Sequence, residues 1–135
     1  MNEQLLSTLE HSRNYTLGVA EAMPEALYNS KPVDTVWNFG ELMNHIAYGI
    51  EWWNDNYIQG IKTEWNPPVT KENKKQVLDY LNRNYDKLKT VVNNQTLKAD
   101  SINGFHATLD HITHHRGQAV LQLRCQGIIP PEYIY

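Results

Sequence analysis

Apolar positions recur at helical spacing along almost the whole chain. Between Asn2 and Met23, the residues Leu5, Leu6, Leu9, Val19, Ala20 and Met23, with Thr16 among them, return mostly at intervals of three and four. That spacing predicts a first helix with one buried face. Pro24 ends or restarts it, and Pro24 to Leu27 suits a short helical turn because proline fits a first helical position. Lys31 to Asp34 reads as a connection. A second helix is predicted from Phe39 to about Gln59, capped by Asn38 with Glu41 three residues on, and carrying Leu42, His45, Ile46, Gly49 and Trp53 on one side. Gly60 closes it and Asn66-Pro67-Pro68 makes a stiff loop. Behind a Thr70 cap, a third helix turns Val77, Leu78, Leu81, Tyr85, Leu88 and Val92 inward and most of its charges to solvent. The polar run from Asn93 to Gly104 reads as a loop. A fourth helix is predicted from a Thr108 cap to about Gln126, stopped by Gly127 and Pro130-Pro131.

Four such patterns and no convincing strand predict an all-α four-helix bundle, in which sites are built from side chains on facing helices. The 135 residues read as a single domain, 1–135, long enough to bury a core without cross-links. The single cysteine, Cys125, excludes an internal disulfide or a Cys-rich zinc module and fits a reducing, cytoplasmic setting; a buried helical thiol is its expected role. Net charge is −3 with the signs interspersed, which disfavours nucleic acid as a partner. The amino end lacks a basic stretch followed by an apolar one, and no apolar run has the length of a membrane span, so a soluble intracellular protein is expected. Tyr133-Ile134-Tyr135 at the other end is expected to dock on the body or on a partner.

Three of the six histidines fall in His111-Ile112-Thr113-His114-His115. At about 100° per residue, His111, His115, Gln118 and Gln122 share a helical stripe about 60° wide, beside an apolar stripe of Leu109, Ile112, Ala119 and Leu123. Two imidazoles one turn apart can share a metal ion. His114 lies about 100° away from His115 and reads as a rim or supporting residue. His45 is the odd member of an apolar face, and a buried imidazole needs a partner; Gly49, one turn on, removes a side chain where something else has to approach. Three neutral imidazoles suit a divalent transition metal and leave positions open for water or substrate. The plainer reading is a pair of ordinary helix histidines and a hydrogen-bonded core histidine. For Arg116 the plainer reading is a snorkelling arginine or an ion pair between helices, with Glu41 as one candidate partner, and the sharper one is an anionic substrate group. Gly117, in mid-helix, is expected to allow close packing of another helix. Among the aromatic residues Trp37, Tyr48, Trp52, Trp53 and Tyr57, most are expected in the core or at an interface, and Trp52 lies near enough in angle to His45 to wall a pocket.

The run from Asp110 to Gln118, followed by Leu123 to Pro131, resembles the closing signature of the DinB/YfiT-like superfamily; Val36 to Ile46 resembles its first signature and Met23 to Leu27 its exit from helix one. The resemblance implies a four-helix bundle of up-down-down-up character, homodimeric, with a site for zinc, nickel or a similar ion held by His45, His111 and His115. It also implies a low-molecular-weight thiol, of the bacillithiol, mycothiol or glutathione type, transferred to a small electrophile. Metal-dependent hydrolysis at the same open position and a non-catalytic, dimeric, damage-inducible binding protein are the alternatives. Gln118 can orient a water but cannot carry a proton, which leaves His114 as the titratable neighbour at physiological pH.

Overall fold

The computed structural model describes residues 2–71 and 73–133. Four helices carry the chain: α1, Asn2–Ala22; α2, Phe39–Trp53; α3, Lys74–Asn94; and α4, Ala99–Cys125. Their pairing follows from the contacts along each seam. Arg13 meets Asp86, Glu10 meets Lys89 and Glu21 meets Lys74, so α1 and α3 run antiparallel. Gly49 faces His111 and Tyr57 faces Gly104, so α2 and α4 are antiparallel as well. Asn84 reaches Ala47 and Lys87 reaches Glu51, which sets α2 parallel to α3. The order is therefore up-down-down-up, with α1 and α2 on one diagonal and α3 and α4 on the other. Between the layers lies one core, including Leu9, Val19, Met23, Phe39, Met43, Ile46, Ile50, Leu81, Leu88, Phe105, Ile112 and Leu123. No helix among the described residues is long and apolar enough to cross a membrane.

The capping box predicted at α2 is present: Asn38 accepts from the Glu41 amide and Glu41 accepts from the Asn38 amide. At α3 the same device sits three residues later than Thr70, built from Asn73 and Gln76. Helix α4 begins at Ala99, two and a half turns before the expected Thr108 cap. Thr108 is instead buried inside it, its hydroxyl donating to the Gly104 carbonyl. The polar run that reads as a loop is helical because its Gly104 face is covered: Gly104 lies against the Tyr57 backbone, and the Ser101 hydroxyl donates to the Ile58 carbonyl. Burial overrides weak local propensity here. The end of α4 is a Schellman motif, with Ile128 N–H donating to Leu123, Gly127 N–H donating to Arg124, and Gly127 at φ +73°.

Helix α2 does continue to Gln59, but its last turn, Asn54–Ile58, widens into a π-helix closed by the Gln59 N–H on the Asn54 carbonyl. Such a turn inserts a residue and re-aims those after it, and here it presses Tyr57 into the Gly104 notch. Cys125 proves exposed. It lies about 200° around α4 from buried Leu123, on the solvent side. Of the C-terminal trio, Ile134 and Tyr135 lie outside the described residues, while Tyr133 packs edge-on against Tyr15 at 5.1 Å.

Candidate metal centre

Parallel neighbours cannot be joined by a tight turn, so α2 returns to the start of α3 through a long strap, residues 59–73. One stripe of α2, Asn44, Tyr48, Trp52 and Asn56, ties that strap down at intervals of four. Asn56 brackets Thr63 through its amide and hydroxyl, and the Trp52 indole donates to the Thr63 carbonyl. The Tyr48 hydroxyl accepts from the Asn66 amide, and Asn44 brackets the Lys71 backbone. Between these ties the strap lays Trp65 against His45 and Tyr48, with centroids at 5.5 and 4.6 Å. The connection from α1 to α2 is pinned as firmly, by Phe39 N–H on Ser30 and Gly40 N–H on Tyr28, while Gln122 of α4 holds the Trp37 carbonyl.

His45 of α2 and His111 and His115 of α4 meet inside this enclosure. The His45 Nε2 lies 3.2 Å from the His111 Nε2 and 3.1 Å from the His115 Nε2, and the three ligand atoms all fall within 4.8 Å of one another. Donors about 2.1 Å from a shared ion stand about 3.0 to 3.4 Å apart at angles between 90° and tetrahedral. The donor set therefore fits a divalent metal ion.

Each ring is fixed differently. His115 donates its Nδ1–H to the Gln118 side-chain oxygen at 2.9 Å, which leaves the Nε2 lone pair facing inward. His111 is fixed by shape: it lies in the notch of Gly49, where a Cβ would sit 2.5 Å from its Cε1, and Trp53 stacks on it with planes 23° apart. His45 packs against Trp37 at 4.5 Å and Trp65 at 5.5 Å, both rings tilted to its plane. Burial, and secondarily His115, pushes the His45 pKa down to about 4. Burial followed by His115, His45 and His114 does the same to His111, also to about 4. His115 is lowered as well, by burial first. All three are neutral near pH 7, the form that ligates metal.

Other expectations are redistributed. His114 touches His115 at a centroid distance of 4.8 Å but is exposed and contributes no ligand atom to the cluster. Trp52 stands one ring away from the imidazoles, against Trp53, Tyr57 and Trp65. The ring that faces His45 from the strap is Trp65, on an irregular segment whose position no periodicity reveals. Arg116 does not pair with Glu41. It is 4 % exposed, points to α1, donates to the Ser12 carbonyl and the Thr16 hydroxyl, and lies over the rings of Tyr15 and Tyr133. Nor does Gly117 receive another helix, since a Cβ there would meet nothing within 4 Å.

Two cavities flank the imidazoles. A small chamber of about 140 Å³ lies beside His45 under Pro67 and Pro68, and a groove of about 670 Å³ runs past His115 and Gln118 between α4 and the α1–α2 connection. Trp37 and Glu41 line both.

The DinB superfamily family model matches residues 8–119. The chain belongs to the DinB superfamily. Its fold is that of a DinB-like protein from Bacillus cereus ATCC 10987, whose crystal structure superposes with a TM-score of 0.83 over 98 % of this chain and 97 % of that one, at 16 % identity. No curated protein matches the chain. Membership of this superfamily agrees with a histidine triad able to hold a metal; it leaves the reaction open.

Proposed function

We propose that the protein is a metal-dependent enzyme that joins a low-molecular-weight thiol to a small electrophile. The observation that carries this reading is the convergence of three neutral imidazole Nε2 atoms from two helices at 3.1 and 3.2 Å, beside a groove that reaches His115. A divalent ion held by these imidazoles, zinc or nickel by its nitrogen ligands, would supply Lewis acidity toward a thiol or a water.

The chain's own groups do the rest. His45, His111 and His115 bind the ion, and Gln118 keeps the His115 tautomer that can do so. Trp37, Trp53 and Trp65 pack against the imidazoles. The substrate's S–H proton leaves, the sulfur lone pair forms the new S–C bond, and the leaving group departs with its electron pair.

The test is conjugation of bacillithiol or glutathione to a haloalkyl electrophile by protein loaded with zinc or nickel. Adduct should form with loaded protein and fail to form with chelated protein or the His115→Ala variant. No adduct with any thiol, with one ion bound per chain, overturns the transferase reading. Ester hydrolysis by the same loaded protein would then favour an attacking water.

A further inference from the structure

Glu41 carries a charge that its structural duty does not require. One carboxylate oxygen, Oε1, completes the capping box by accepting from the Asn38 amide at 3.1 Å. In α3 of this same chain neutral Gln76 performs that duty. Glu41 is only half-exposed, and no lysine or arginine among the described residues forms an ion pair with it. A favourable interaction with the helix dipole accounts for some of this preference. It does not account for the company Glu41 keeps. Gln122, 6 % exposed on the same groove, spends its Nε2 on the Trp37 carbonyl and leaves Oε1 buried with no partner. Buried orphan acceptors are rare enough to need a cause. The groove's one lysine, Lys31, is turned to the Asp34 carbonyl at 3.3 Å.

The groove thus offers acceptors: the carboxylates of Glu41 and Asp34, neither in an ion pair among the described residues, and the buried Gln122 Oε1, on a groove that reaches His115. A ligand that satisfies them is a donor-rich cation. Glu41 precedes His45 by one helical turn, about 6 Å along the axis, and both line the small chamber, which places a cation at Glu41 near the atom held at the triad.

We propose that this groove is a subsite for a protonated primary amine, and that the thiol used at the triad is an aminothiol with its ammonium group close to sulfur. The inference rests on the thiol reading above. It separates thiols with a free amine from those whose amine is acylated, because an amide lacks the charge that Glu41 would balance.

Protein loaded with cobalt(II) gives an absorption change on thiol binding, from which Kd is read for cysteamine, 2-mercaptoethanol and N-acetylcysteamine. Cysteamine should bind at least tenfold more tightly than the other two. Because its amine can also ligate the ion, the deciding quantity is the ratio of Kd for 2-mercaptoethanol to that for cysteamine, compared between wild type and Glu41→Gln. Ligation by the amine is the same in both proteins, and glutamine preserves the cap as Gln76 does. The ratio should fall at least fivefold in Glu41→Gln, and Gln122→Met should lower it too. An unchanged ratio in both variants overturns the amine subsite while leaving thiol binding intact. Absence of any thiol-dependent absorption change, with cobalt bound, overturns the thiol reading and this inference with it.

Discussion

The seam between α1 and α3 and the seam between α2 and α4 are made of opposite materials. Along the first, polar groups are matched to partners. Arg13 meets Asp86 at 2.7 Å and Asn82 at 2.9 Å, Lys89 meets Glu10, and the buried Tyr85 hydroxyl lies between Ser12 and Thr16. Along the second, side chains are removed. Gly49 makes room for an imidazole and Gly104 for a turn of backbone, while the His111 Nδ1 and the Gln122 Oε1 remain buried without hydrogen-bond partners. Filling a seam with matched groups gives stability. Emptying one, and leaving polar atoms unpaired in it, gives a place for something the chain does not itself supply.

The comparison breaks most visibly at Gly104. A methyl group added there lands on the Tyr57 carbonyl, which is backbone and cannot swing aside. Gly104→Ala should lower stability by about 3 kcal/mol, read as a fall in Tm. A neutral substitution would show that the π-turn does not need the notch.

Gly49→Ala should separate site from fold. The clash there is with the His111 ring, a side chain that can rotate away, and alanine improves helix propensity by up to about 1 kcal/mol. The variant should keep or raise the Tm of the metal-free protein while losing metal affinity in a titration; unaltered affinity would remove Gly49 from the account. A milder effect is expected from Gln118→Leu, which deprives the His115 Nδ1–H of its acceptor. Metal affinity should fall about 10- to 100-fold, the usual cost of losing a group that orients a ligand.

Much of this contrast is legible in the sequence, for reasons that differ residue by residue. His111 and His115 declare themselves because the helical repeat alone brings them together, and His45 because an imidazole interrupts an apolar stripe. The Asn38 cap is legible because its partner lies three residues away. Gly104 is not, since glycine among Asp100, Ser101 and Asn103 carries the same local signal as a loop, and only the Tyr57 backbone makes it helical. Trp65 belongs to an irregular strap whose place is set by four tertiary ties. Arg116 takes the structural role its position suggests but reaches α1, and Glu41, one candidate partner for it, is left without an ion pair among the described residues.

Lowering the pH tests the same seam. His45 and His111 are held neutral in the folded protein, with pKa values lowered from 6.5 to about 4. Between about pH 6.5 and pH 4 the unfolded chain therefore binds more protons than the folded one, so stability is lost as pH falls through that window and is fully present above it. The urea midpoint of the metal-free protein should be lower at pH 5 than at pH 7. Equal midpoints would show that the imidazoles are not shielded as described.

The central claim is that His45, His111 and His115 hold one divalent ion together. Titration of the metal-free protein with zinc, followed calorimetrically for wild type and for His45→Ala, His111→Ala and His115→Ala, tests it most directly. One ion per chain in the wild type and a loss of affinity in each variant is the expected result; equal zinc affinity in wild type and all three variants would contradict it.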